Sequence, residues 1–143
     1  MPIWTFVDYV EESGRNPFAE WLGRNIPPEA KVAINGRFTM MRGMERWPDK
    51  WVSNYEGYPG LFEARIPHNK VQYRPLFMYS VDIRHQIALL NGAIEKNGKI
   101  RRSELDAARD RREILFKEPG RVQRHRFDLG RNLGEPEPQQ GKP

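Results

Sequence analysis

Apolar and polar positions alternate from Ile3 to Tyr9, with Ile3, Thr5, Val7 and Tyr9 on one side and Trp4, Phe6 and Asp8 on the other. A period of about two in a stretch rich in aromatic and β-branched residues predicts a strand. Ser13-Gly14 marks a turn. Asn16-Pro17 then reads as an N-cap followed by a proline in the first helical turn, with Phe18 and Trp21-Leu22 as the buried stripe. Ile26-Pro27-Pro28 breaks this helix and opens a second, with Glu29 near the positive end of its dipole. Ile34, Phe38, Met41 and Met44 recur at helical spacing and form its inward face, so the methionines read as core packing. Trp47-Pro48 closes the helix, and residues 47–60, rich in Trp, Tyr, Pro and Gly, are expected to be a loop that covers the end of the core.

Three more strands are predicted at Leu61–Ile66, Val71–Ser80 and Gln86–Asn91. The hairpin-length connection 67–70 sets Ile66 against Val71, Arg65 against Gln72 and Glu63 against Arg74. Alternation then puts Glu63, Arg65, Gln72 and Arg74 on one face. Phe62, Ala64, Ile66, Val71, Tyr73, Phe77 and Tyr79 take the other, toward the helices. Pro75 cannot donate to a ladder, so a bulge or an outward position is expected there. Ala93–Ile100 reads as a loop around Asn97-Gly98, followed by a third helix from Arg101 to Leu115 with Leu105, Ala108 and Leu115 inward. The expected fold is α+β: strand, helix, helix, three strands, helix, with a small, mostly antiparallel sheet carrying the two N-terminal helices on one face. Residues 1–117 form one domain, and 118–143 are expected to be a disordered or extended tail, basic first and then rich in Pro, Gln and Gly.

Composition changes this picture where charge is located. Residues 1–95 carry 11 Lys/Arg and 11 Asp/Glu, whereas residues 96–126 carry 11 and 5, a local balance of +6. Such a block concentrates polyanions, of which nucleic acid is the commonest in the cytoplasm; a solvated, salt-bridged helix is the structural alternative. With no cysteine, thiolate chemistry and disulfides are excluded. Without an apolar run near ~18 residues or a basic-then-apolar N-terminus, a cytoplasmic protein with no membrane partner is expected.

Several segments in this order resemble the RelE/HigB-type toxin superfamily, in its phage-derived branch. They are Gly14-Arg15-Asn16-Pro17-Phe18-Ala19-Glu20-Trp21-Leu22, Leu61-Phe62-Glu63-Ala64-Arg65-Ile66, Val71-Gln72-Tyr73-Arg74 and Leu89-Leu90-Asn91-Gly92. The charged helix Glu104-Leu105-Asp106-Ala107-Ala108-Arg109-Asp110-Arg111-Arg112 belongs with them, and the likeness spans roughly residues 3–115. The resemblance implies a RelE-like fold and an endoribonuclease that cuts mRNA at the ribosome without a metal or other cofactor. It also implies a cognate antitoxin with a helix-turn-helix as partner. Arg65 and Arg74 match the family's phosphate-contacting arginines, and Lys96 and Lys99 its basic loop. Asn91 stands where this branch usually has a histidine, and Glu95 where a lysine is common.

Metal-free cleavage by a ribose 2′-hydroxyl needs a proton acceptor, a proton donor for the leaving 5′-oxygen, and cations around the phosphorus. Arg65 and Arg74, with Lys96 and Lys99, suit the cationic part, because guanidinium grips phosphate in a bidentate fork. Glu95 is a candidate for proton transfer, while Asn91 cannot titrate and can only orient a group or donate a hydrogen bond. The structural alternative for the two arginines is a cross-strand ion pair with Glu63. Arg101, Arg102, Arg109 and Arg112, on the outer face of the third helix, are candidates for RNA-backbone contacts. Three functions follow: an mRNA-cleaving toxin of a type II toxin–antitoxin pair, a non-catalytic RNA- or ribosome-binding relative, or a protein-interaction module using the basic helix and tail.

Overall fold

The structure, a computed structural model, describes residues 2–130. Strand β1 (Thr5–Tyr9) is followed by helices α1 (Pro17–Arg24) and α2 (Pro28–Arg42). Five strands come next: β2 (Val52–Tyr55), β3 (Tyr58–Ala64), β4 (Ile66–His68), β5 (Val71–Tyr79) and β6 (Gln86–Glu95). Helix α3 (Arg102–Lys117) and strand β7 (Val122–Arg124) complete the described chain. All seven strands join one open, mostly antiparallel sheet in the order β2-β3-β5-β6-β1-β7, with β4 also paired to β5. The β1–β6 pair alone is parallel among the recorded strand pairs. The α+β architecture is as expected, but the sheet is larger: β2 lies inside the expected 47–60 loop, β7 inside the expected tail, and β6 extends through Glu95 instead of ending at Asn91.

The caps and breaks act locally, as the sequence implies. The Asn16 side chain accepts a hydrogen bond from Ala19 N at 2.9 Å, and the Pro27-Pro28 pair opens α2. Ile34, Phe38 and Met41 are buried on α2, but the helix ends at Arg42, so Met44 falls outside its stripe. The β4–β5 hairpin turns on Asn69 and Lys70, both at positive φ (49° and 66°), making a two-residue turn of the kind that matches strand twist. Ile66 therefore pairs with Tyr73 and His68 with Val71, a slip of two from the expected register. Because side-chain direction repeats every second residue, the slip preserves both faces. β3 keeps the same register, with Phe62 opposite Phe77, which sets Ala64 against Pro75 and Arg65 against Arg74. The ladder breaks at Arg65 where Pro75 has no N–H to give, and a bulge beside it separates the Leu76–Asn91 pair from the Phe77–Leu89 pair.

Both faces of the sheet are covered. On one, Phe6, Ala64, Ile66, Tyr73, Phe77, Ile87 and Leu89 pack against Phe18 and Leu22 of α1 and Ile34, Phe38 and Met41 of α2. On the other, Val7, Leu61, Leu76, Met78, Leu90 and Ala93 pack against Leu105, Ala108 and Leu115 of α3. The face expected to present two arginines to solvent is thus largely roofed by α3. Trp47 and Trp51 seal the first core, and Tyr55 and Tyr58 the second.

The segment after α3 corrects the expectation of a structureless tail. β7 runs antiparallel to β1, pairing Val7 with Arg124 and Tyr9 with Val122, and His125 N donates to Phe6 O at 3.0 Å. His125 is buried, and Phe127 packs on the first core. Residues 131–143 of the expected tail lie outside the described residues.

Candidate functional site

Strand alternation brings a carboxylate–arginine cluster together on the α3 side of β3, β5 and β6. The Glu63 carboxylate, with a side chain only 4% exposed, is its centre. Arg65 Nε donates to Glu63 Oε2 at 2.7 Å and Ser53 Oγ to the same oxygen at 3.0 Å, while Arg74 Nε lies 3.7 Å from Oε1. Arg74 gives two hydrogen bonds to Glu95 Oε1, at 3.1 and 2.8 Å, one to Gln72 Oε1 at 3.3 Å and one to the Tyr73 carbonyl at 3.1 Å. Its side chain is 6% exposed, whereas that of Arg65 is 45% exposed. The Glu63 hydrogen bond holds the Arg65 guanidinium more firmly protonated. Burial, then the Glu63 charge, pushes the Tyr55 phenol up to about 12. The cluster therefore contains one accessible cation, one sequestered cation, a buried carboxylate and a phenol that keeps its proton at neutral pH.

A second concavity of about 690 Å³ runs along β6 past the end of β1, between α1 and the start of α3. Lys96, Lys99, Arg101 and Asn91 line it together with Trp21 and Glu104. The turn at its rim is built by Asn97 (φ 54°) and Gly98 (φ 76°), across which Lys96 and Lys99 exchange backbone hydrogen bonds at 2.8 and 3.0 Å. Among the described residues, Lys96, Lys99 and Arg101 have no carboxylate within ion-pair distance. Asn91 is buried, and its Nδ2 donates to the Glu104 carbonyl at 3.2 Å.

No family model, curated protein or solved structure matches this chain. The geometry alone therefore sorts the candidates. Arg65, Arg74 and Glu95 meet in the carboxylate–arginine cluster; Asn91, Lys96, Lys99 and Arg101 meet in the cleft on the opposite edge of β6. The two groups flank one strand and do not share a pocket. Arg102 is exposed at the start of α3. Arg109 is exposed and held by Asp106 and Asp110, whereas Arg112 is half-buried, its guanidinium against Gly60 of β3 and over the Phe116 ring at 4.5 Å, which takes it off the outer face expected for it. Among the described residues no cluster of His, Cys, Asp and Glu is arranged to hold a metal, and no helix is long and apolar enough to cross a membrane.

Two groups were not legible as site residues in the sequence. Glu63 reads there only as an ion-pair partner; its place at the centre of the cluster depends on Ser53 and Arg74 arriving from other strands. His125 sits in a basic stretch, yet its Nδ1 lies 2.9 Å from Asp8 Oδ1 and its Nε2 2.8 Å from Asn35 Oδ1. Asn16 Nδ2 donates to the other Asp8 oxygen at 2.8 Å. Phe18, Phe38 and Phe127 ring the imidazole. With both nitrogens engaged, His125 is a structural clasp rather than a free base.

Proposed function

We propose that this protein engages RNA along β6 and acts as a RelE/HigB-type mRNA-cleaving toxin of a type II toxin–antitoxin pair, working on the ribosome in the cytoplasm. The observation that carries the reading is the exposed Arg65 hydrogen-bonded to the buried Glu63, with Lys96, Lys99 and Arg101, which have no ion-pair partner among the described residues, on the other side of β6. The element order after β1, two helices before the sheet and a charged helix after it, is in keeping with a RelE-like fold. In this mechanism Arg65 exchanges Glu63 for a phosphate oxygen, which frees the carboxylate to take the 2′-hydroxyl proton. The 2′-oxygen attacks the adjacent phosphorus, the bond to the 5′-oxygen breaks, and Tyr55, which retains its proton at neutral pH, protonates the leaving oxygen. Arg74 holds Glu63 and Glu95 in place and adds positive potential behind the phosphate. An antitoxin with a helix-turn-helix is the partner this reading requires.

The test is cleavage of mRNA by the full chain in EDTA, with and without ribosomes. Arg65→Ala and Glu63→Gln should each lower the rate on the order of 100-fold. A second reading, an RNA- or ribosome-binding relative that does not cut, is favoured by Glu63, whose buried carboxylate already holds Arg65 and Ser53, and by Arg74, which is engaged by Glu95, Gln72 and the Tyr73 carbonyl. Absence of cleavage by wild type on and off ribosomes, with salt-sensitive RNA binding retained, selects that reading.

A further inference from the structure

Two features of the cleft beside β6 are unexplained by folding. Lys96 and Lys99 form a mutually hydrogen-bonded pair across a two-residue turn, so their side chains leave the same face. Like charges directly opposite each other destabilise a ladder, and although Glu20 and Glu104 also line the cleft, among the described residues neither lysine is within ion-pair distance of a carboxylate. Asn91 Oδ1 is buried without a hydrogen-bond partner. The amide orientation is set, because Nδ2 faces the Glu104 carbonyl, which can only accept. The orphan is therefore an acceptor, and it belongs to a residue lining the cleft. Trp21 adds aromatic surface to the same cleft, packed so closely on Gly92 that a Cβ there would come within 2.0 Å of the ring.

We propose that this cleft is a subsite for single-stranded RNA, with phosphates on Lys96, Lys99 and Arg101 and with Asn91 Oδ1 accepting a hydrogen bond from a donor group of a neighbouring nucleotide. The proposal rests on the RNA reading above and gives it a location separate from the Glu63–Arg65 cluster. A bare polyanion satisfies the cations but leaves Oδ1 unmatched, since phosphate oxygens carry no proton to give. Nucleotides have donors of three kinds, the ribose 2′-hydroxyl, the exocyclic amines and the ring imino N–H of guanine and uracil. Asn91 is a positioning residue that selects between ligands and moves no proton.

The experiment measures binding of the full chain to a short RNA, the same sequence as DNA, and polyphosphate, by fluorescence anisotropy over a range of salt. Lys96→Gln with Lys99→Gln should weaken all three ligands and reduce the log–log salt slope for single strands by about 1.4, two phosphate contacts' worth. Asn91→Leu should weaken RNA about tenfold, the scale of one hydrogen bond, and leave polyphosphate unchanged. A walk of single 2′-deoxy, amine-to-carbonyl and imino N-methyl replacements through the RNA, on wild-type protein, gives the same information without a core substitution. One replacement should cost about tenfold with wild type and nothing with Asn91→Leu, and its identity names the donor. Wild-type affinity in the lysine variants, or an RNA preference untouched by both Asn91→Leu and the walk, overturns the subsite. If Arg65→Ala still abolishes cleavage in that case, the proposed function survives; if wild type binds no RNA, both fail.

Discussion

Arg65 and Arg74 look equivalent in the sequence, each one step from a partner on an alternating strand, yet the structure gives them different environments. Arg74 is buried with Glu63 and Glu95 around it, while Arg65 reaches solvent. Glu95, brought across from β6, gives the two arginines a second carboxylate beside Glu63. Arg74→Ala should therefore destabilise the fold by about 3–5 kcal/mol in urea unfolding, because it strands buried carboxylates. Arg65→Ala should change stability by less than about 1 kcal/mol, as for an exposed pair. Equal costs would mean that the two guanidinium groups share one environment. Tyr55 offers an independent check. Its phenol ionises near 12 instead of 10, since burial and Glu63 disfavour the phenolate. Spectrophotometric titration of wild type against Tyr55→Phe should isolate one tyrosine with that late transition. The sign follows: a raised folded value means that the stabilisation is complete below about pH 10 and is lost as pH rises from there toward 12.

At the scale of elements, the strap from β7 to Phe127 is the largest departure from expectation. Residues 118–130 have no apolar period because one strand of three residues and a single buried imidazole do the docking. His125 joins β1 through Asp8 and α2 through Asn35, so the strap ties the two together. His125→Ala should cost about 3–5 kcal/mol by leaving a buried carboxylate without its partner. Hydrogen exchange should find the His125 amide, bonded to Phe6 O, protected like a strand amide; exchange at the rate of a free peptide would show that the strap is undocked.

Across the whole molecule, the sheet has a core on each side. Leu76, on the same face as Arg74, is fully buried against the α3 side, and Phe77 is fully buried against α1 and α2. Leu76→Ala should therefore cost about 2–5 kcal/mol, as much as a substitution in the helix-facing core. A loss below about 1 kcal/mol in thermal or urea unfolding would mean that α3 does not cover that face. Phe62, expected to be buried against the helices, is only partly buried, so its truncation should cost less than that of Phe77.

What the sequence determined by itself is whatever depends on near neighbours in the chain. The Asn16 cap, the Pro27-Pro28 break, the alternating faces of β3 to β5 and the inward Leu105, Ala108 and Leu115 follow from periods of two and 3.6 and from single-residue backbone preferences. The hairpin register was wrong by two residues without consequence for those faces. Only tertiary structure decided how the charges are shared, because an ion pair depends on which strands become neighbours. Glu95 reaches Arg74 across the β5–β6 ladder, His125 reaches Asp8 over 117 residues, and among the described residues Lys96 and Lys99 have no ion-pair partner at the cleft. The sequence locates the positive charge in residues 96–126; the fold decides which of those cations stay free to meet a ligand, because burial and pairing are set by long-range contacts that no local period encodes.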